Sequence, residues 1–298
     1  MEDYTPENLT SEKFNGKHGK ASALSTGGVM TKIREKFSNK KTWSKILIVA
    51  ASLLLVFALV MLAITFFGGK KEDFSAYKNK DATIPDSSNN SSDDLPLNPI
   101  NFEALQKENA DAVAWIQIPG IDMIDYPIMQ SASGADDNFY LDHDWHGENA
   151  REGAIYIQKL NNKAFTDPNT VIYGHNMLNG TMFGKLFDGS KRQYCNEEFF
   201  NEHRTIYIFT PGHVLKYEVI SAFVYDDRHI LNSFNFDLEE YRMEFFNTCT
   251  NPSSITKQVA DGAELKSDDK IITLSTCTSN NAERFLVVGK LVSDIQTQ

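Results

Sequence analysis

Cys277 ends the apolar run KIITLSTC, residues 270–277, and Arg284 stands near the start of the next, ERFLVVGKLV, residues 283–292. A thiol at the end of a strand is held on a rigid support with its sulfur near solvent. A guanidinium beside it favours the thiolate or stabilises oxyanion charge that develops during attack. Two neighbouring strands joined by TSNNAE would bring both to one rim. Such a thiol needs a base from elsewhere in the chain. His175, in TVIYGHNM, also closes an apolar strand before a polar turn and is the best candidate among the histidines. The competing readings are plain ones: Cys277 as a buried spacer in a sheet, and Arg284 as a surface cation paired with Glu283. His143 and His146 in DHDWHG have Asp142 and Asp144 beside them, but the spacing matches no strong metal motif and a solvated loop is preferred. His203, His213 and His229 have no distinguishing context.

The elements that must position these groups are strands. VAWIQIPG alternates and breaks at Pro119-Gly120, which predicts a strand and turn. IDYPIMQ predicts an edge strand, because Pro127 has no N–H for a central ladder. GAIYI (153–157) and NTVIYGH (169–175) are further strands, and RTIYIFTPG with HVLKYEVISAFVY forms a hairpin around Pro211-Gly212. Short helices are expected over 101–111, in TMFGKLF, in YCNEEFFNEH and over 237–248. In the last, Asp237 is the expected N-cap with Glu240 three residues on. Helices do not alternate with strands, so a doubly wound sheet is not expected. The fold class is mainly β: a closed barrel of about eight strands, mainly antiparallel, with short peripheral helices.

The N-terminal quarter is of another kind. Residues 46–67, ILIVAASLLLVFALVMLAITFF, contain no charge, and a helix of that length spans about 33 Å, enough for a bilayer core. The run starts too late and is too long for a signal peptide, which favours a retained anchor. Residues 1–45 carry nine basic and five acidic side chains, net +4, so the remainder of a chain of net charge -11 carries -15. The positive-inside rule then puts the basic tail, 1–45, in the cytoplasm and the large C-terminal part outside. Residues 68–98 are rich in Ser, Asn, Asp and Lys and predict a flexible linker, leaving 99–298 as the globular domain. The acidic balance excludes non-specific nucleic-acid binding. The three cysteines, Cys195, Cys249 and Cys277, do not make a disulfide framework, although one pair could form.

TLSTC (273–277), YGHNM (173–177) and Arg284 in RFLVVGKL, in that order behind an N-terminal anchor, resemble the sortases, membrane-anchored cysteine transpeptidases of Gram-positive bacteria. The resemblance covers roughly residues 100–298. Class B is the subclass it suggests, on the leading helical segment, on Asn138 and Tyr140 in NFYLDHDWHG, and on the long connection from Ser221 to Lys270 with its helix. The resemblance implies a sortase-type barrel and a reaction that cleaves a C-terminal sorting signal after threonine through a Cys277 thioester. The acyl group then passes to a peptidoglycan amine. It also implies His175 as general acid and base, Arg284 as oxyanion and substrate ligand, Ser275 and Asn138 as substrate contacts, and no metal or other cofactor. Its partners would be secreted proteins bearing the signal, a peptidoglycan precursor or cross-bridge amine, and the bilayer. The alternatives are a pilin-polymerising sortase of another class and a non-catalytic membrane-tethered binding module.

Overall fold

The first element, helix α1 (Lys40–Phe67), is apolar around its whole circumference from Ile46 onward, and Trp43–Leu62 has none of its surface buried. A helix with no polar stripe has no aqueous face to present, so it is long and apolar enough to cross a membrane. Its one mid-span hydroxyl, Ser52, donates to Ile48 O at 2.8 Å and so needs no water. The computed structural model describes residues 40–67, 72–85, 95–132, 134–187, 193–278, 280 and 282–298. The expectations for residues 1–39 and for parts of the linker, 68–71 and 86–94, lie outside the described residues. The chain divides after Leu62 into two compact units, and the second, Ala63–Gln298, contains every strand found among the described residues.

Among its described residues are nine strands: β1 Ala112–Gln117, β2 Asp125–Met129, β3 Ile155–Ile157, β4 Asn169–Tyr173, β5 Thr205–Thr210, β6 His213–Asp226, β7 Lys257–Val259, β8 Ile271–Cys277 and β9 Glu283–Gln296. They pair in the order β5-β1-β2-β3-β4-β8-β9-β6, and β5 pairs again with β6, so eight strands close a barrel. Closure is possible because β6 is long. Its first half pairs with β5 and its second with β7, while β9 runs along its other side. β7 is thus a ninth strand outside the ring. The β2–β3 and β4–β8 pairs are parallel and the rest antiparallel.

The side chains of β8 alternate between two apolar clusters. Ile272 and Leu274 join the larger one with Ile172, Phe285 and Val287. Ile271 joins a second one with Val171, Leu286 and Val288. Helices α4 (Ile230–Ser233) and α5 (Glu239–Thr250) cover this second cluster, supplying Ile230, Phe245, Phe246 and Cys249. Apolar cover on both faces explains why IITLST reads as a continuous run rather than an alternation. The two earlier helices, α2 (Phe102–Glu108) and α3 (Glu197–Glu202), are capped by Asn101 and Asn196, whose side chains accept from Ala104 N and Phe199 N.

Several expectations are corrected. β2 lies between β1 and β3 rather than at an edge. Its pairing with β3 begins only at Ile128, so Pro127 is laddered on one side alone, opposite Trp115 of β1, and no second ladder calls on its missing N–H. TMFGKLF forms turns, not a helix: Met182 bridges back to Asn176, and Phe183 N donates to His175 O at 2.9 Å. α5 starts at Glu239 with Leu238 in the cap position and no side-chain cap. Asn235 takes the Asp237 N–H at 3.1 Å, which places Asp237 in the preceding turn. Composition assigns Phe74 to the linker, yet it is buried, edge-on to Trp115 at 5.3 Å and to Trp145 at 5.6 Å. Tyr77, also edge-on to Trp145 at 5.3 Å, and the bridge between Lys78 and Ile100 dock the stretch with it, which sliding-window polarity does not register.

Candidate active site

β4 and β8 are parallel neighbours in the register Tyr173↔Ser275. His175 and Cys277 each lie two residues beyond that pair, so parallel pairing carries both to the same end of the sheet. β8 and β9 are antiparallel with Cys277 opposite Arg284, and Arg284 is in turn opposite Tyr225 of β6. Residues paired across strands project to the same face, so Arg284 stands between Cys277 and Tyr225. The side chains of Asn138, His175, Ser275, Cys277 and Arg284 line one cleft of about 340 Å³, together with Tyr156, Tyr173 and the segment 226–230. Every residue singled out in the sequence for this site lies in it. A spacer cysteine would be fully enclosed; Cys277 is half-buried, at the one position of β8 that is not buried.

His175 is oriented by backbone. Its Nε2 lies 2.7 Å from Leu141 O. A carbonyl can only accept, so Nε2 carries the proton and the neutral ring keeps its lone pair on Nδ1. Leu141 O is in turn held by the close approach of Gly153, at φ +56°, where a Cβ would sit 2.5 Å from that oxygen. Only glycine fits without moving the acceptor of the histidine.

Asn176, next to His175, fixes the other side of the pair. Its Nδ2 donates to Cys277 O and to Phe187 O, both at 2.9 Å. Neither Asn176 nor Gly153 is marked as a site residue by local sequence pattern. An asparagine directly after a strand-end histidine is the signal available for the first.

The remaining wall is polar and pre-set. Asn138 Oδ1 accepts from Gln158 Nε2 at 2.9 Å and from Tyr156 OH at 3.3 Å, so this oxygen is committed to the wall, while the histidine ring is tied to Leu141. Ser275 is buried with its carbonyl accepting from Gly174 N at 3.2 Å. Tyr156 and Tyr173 stack at 5.3 Å, and burial pushes both phenols up, so they stay neutral beside the thiol. Arg284 Nη1 donates to Glu283 O at 2.9 Å; this contact with Glu283 is with the carbonyl, not the carboxylate. On the opposite wall, Arg228 grips Asp226 with Nε–Oδ1 at 2.7 Å and Nη2–Oδ2 at 2.6 Å, which holds that carboxyl below its usual range.

The other histidines of the 138–154 segment are used locally. His143 Nδ1 meets Phe139 O at 2.8 Å and Asp142 at 2.7 Å, and its ring stacks on Phe139. His146 faces Glu72 at 3.2 Å. Among the described residues no group of three or more His, Cys, Asp or Glu side chains converges for a metal ion.

A family profile described as "Sortase domain" matches residues 116–292. Sortase B of Listeria monocytogenes is 34% identical over 252 residues, which cover 79% of this chain and 95% of that protein. Sortase B of Staphylococcus aureus is 31% identical over 196 residues, 64% of this chain and 74% of that protein. Among solved structures, sortase B from Bacillus anthracis in complex with AAEK1 superposes with a TM-score of 0.56 at 30% identity, covering 67% of this chain and 88% of that one. The S. aureus sortase B–substrate complex gives a TM-score of 0.56 at 27% identity, with 67% and 87% covered.

Proposed function

This chain belongs to the sortase family, class B, and from that membership we propose that Cys277 is the nucleophile with which it performs cysteine transpeptidation. The observation that carries the assignment is the convergence of Cys277, His175 and Arg284 on one cleft through the β4–β8 and β8–β9 registers. The Cys277 thiolate attacks the carbonyl carbon of threonine in a C-terminal sorting signal. Arg284 stabilises the oxyanion of the tetrahedral intermediate and orients the signal. As the C–N bond breaks, the His175 imidazolium gives its proton from Nδ1 to the departing amine, leaving a Cys277 thioester. An incoming peptidoglycan amine loses a proton to the neutral ring as it attacks, and the thiolate leaves. Ser275 and Asn138 line the path of the signal.

The basic residues before the apolar run orient the chain, with its N-terminus in the cytoplasm and the barrel outside, where exported substrates and the wall acceptor are found. The test is intact-mass analysis of the full chain in detergent with a library of sorting-signal peptides. A mass increase equal to the acyl fragment, absent in Cys277→Ala and discharged by an amine acceptor, is expected. No adduct with any peptide would refute the assignment. An adduct released only by water, whatever the amine, would make the chain a thiol hydrolase.

A further inference from the structure

His175 is held from two sides. The first hold runs through Leu141 O, which takes the Nε2 proton. Residues 140–154 fold back on themselves around that carbonyl: Ala154 N donates to Tyr140 O and Ala150 N to Asp142 O, both at 2.9 Å. Trp145 stands near the turn of this loop, 4% exposed, with its carbonyl accepting from Asn109 Nδ2 at 2.6 Å. The second hold runs through the segment after His175. Phe183 N donates to His175 O at 2.9 Å, and Met182 bridges to Asn176. Met182 sits at φ 53°, a conformation that a side-chain-bearing residue keeps only when its surroundings impose it, and Tyr126 OH takes its N–H at 3.2 Å. One hold thus includes the ring of Trp145 and the other that of Tyr126.

Phe74 meets both rings. It lies edge-on to Trp145 at 5.6 Å and to Tyr126 at 6.1 Å, within the range of direct ring contact, and Trp115 closes the cage at 5.3 Å. Trp145 and Tyr126 also line a small hollow of about 100 Å³, together with Gly153, Met182 and Glu72. The two holds therefore face each other across a gap rather than packing solidly, and a ring in contact with both sets their spacing. The arm that carries Phe74 is fixed beyond it. Tyr77 is edge-on to Trp145 at 5.3 Å, and Asn101 N donates to Tyr77 O at 2.8 Å. Lys78 pairs with Asp125 Oδ2, while Asp125 Oδ1 accepts from Trp115 Nε1 at 2.8 Å. In sequence Phe74 follows Phe67, the last residue of α1, by seven positions, so the stretch that docks is the one that comes directly after the apolar helix.

We propose that Phe74 is a positioning residue for His175: docking of its arm fixes Trp145 and Tyr126 relative to one another, and through them the Leu141 O acceptor and the Asn176–Met182 turn that set the imidazole in the cleft with Cys277. Loss of the ring loosens both holds at once. An aromatic cluster that served stability alone would lower the melting temperature and leave the imidazole of folded molecules where it is. The effect on rate rests on the transpeptidase reading; the effect on the His175 ring does not.

The test compares the full parent chain with Phe74→Ala and Phe74→Leu in nanodiscs, with Phe200→Ala as the control for aromatic burial lost elsewhere in the core. Phe74→Ala should lower the rate of acylation by a sorting-signal peptide about tenfold, a part of what a displacement of about 1 Å brings, with KM for the peptide within about twofold. NMR relaxation of the His175 ring, assigned by its absence in His175→Gln, should show the order parameter fall from a rigid value of about 0.85 to below about 0.6. Phe74→Leu, which keeps an apolar plug, should lie between Phe74→Ala and the parent in both measurements. Phe200→Ala should lower the melting temperature and move neither. A parent-like acylation rate or a parent-like ring order parameter in Phe74→Ala would overturn the proposal. So would Phe74→Leu no better than Phe74→Ala, or an equal loss of both in Phe200→Ala. If Phe74→Ala does not fold, Tyr77→Ala, which takes the neighbouring ring off Trp145, is read by the same two measurements. A parent chain that forms no thioester would remove the transpeptidase reading, and the order of the His175 ring would then decide the positioning by itself.

Discussion

Cys249 and Cys277 are both in or beside the sheet-and-helix layer around β8, and their surroundings make them different chemical objects. Cys249 is fully buried on α5 among Phe245, Phe246 and Leu286, and burial pushes its thiol far up, so it is a small apolar side chain. Cys277 ends β8 half-exposed in a cleft, across from a guanidinium, its carbonyl pinned by Asn176. Residue type is shared; accessibility and the polar groups brought by neighbouring strands are not. Where a strand ends decides whether its cysteine is open to solvent and to the polar groups of its neighbours.

The largest effect should separate the two thiols directly. In activity, Cys277→Ala should abolish thioester formation, whereas Cys249→Ala should leave it within about twofold at a temperature where both fold. In the native chain, iodoacetamide should carbamidomethylate Cys277 at least ~10³-fold faster than Cys249, whose modification waits on unfolding. Peptide mapping against time reads both rates in one sample. Comparable rates would collapse the distinction.

Asn176 sharpens the comparison further, because it holds the backbone of Cys277 without touching its thiol. Asn176→Ala removes both the Cys277 O and the Phe187 O hydrogen bonds and lets the strand end drift from His175. A misplacement of about 1 Å costs on the order of 10²-fold. The loss should appear in the acylation rate with KM for the sorting peptide changed little. A merely structural role would instead lower thermal stability and leave kcat of the folded fraction intact. Equal kcat in the variant would remove Asn176 from the machinery.

How far these features can be read in the sequence depends on their range. Cys277, His175 and Arg284 are legible because each ends or begins a strongly apolar run, a local pattern. Barrel closure is legible only as a class. The dual pairing of β6 and the appended β7, three residues of mixed polarity, are set by long-range register that no window sees. Pro127 suggests an edge only if ladder hydrogen bonds run along the whole strand, and β3 is too short to reach it. TMFGKLF has helical composition, but the turn at Met182, with φ 53°, and its bridge to Asn176 override that preference. Phe74 and Gly153 leave no local trace because their roles exist only in contact: one docks a polar stretch, and the other lets Leu141 O reach His175.

The smallest effect tests Cys249 through pH. Its folded thiol is raised above the unfolded value of about 8.5, so the protonated form is the one that folding favours. Stability from this group is fully present below pH ~8.5 and is lost as the unfolded thiol ionises while the folded one does not. The slope approaches about 1.4 kcal/mol per pH unit above that value. Tyr194 and Tyr217, also raised by burial, add a like loss only above pH ~10, where unfolded phenols ionise. Between pH ~8.5 and ~10, urea unfolding of the parent chain should therefore decline more steeply than that of Cys249→Ala, by about 1.4 kcal/mol at pH ~9.5. A slope that persists unchanged in Cys249→Ala would show that this thiol is not sealed from water.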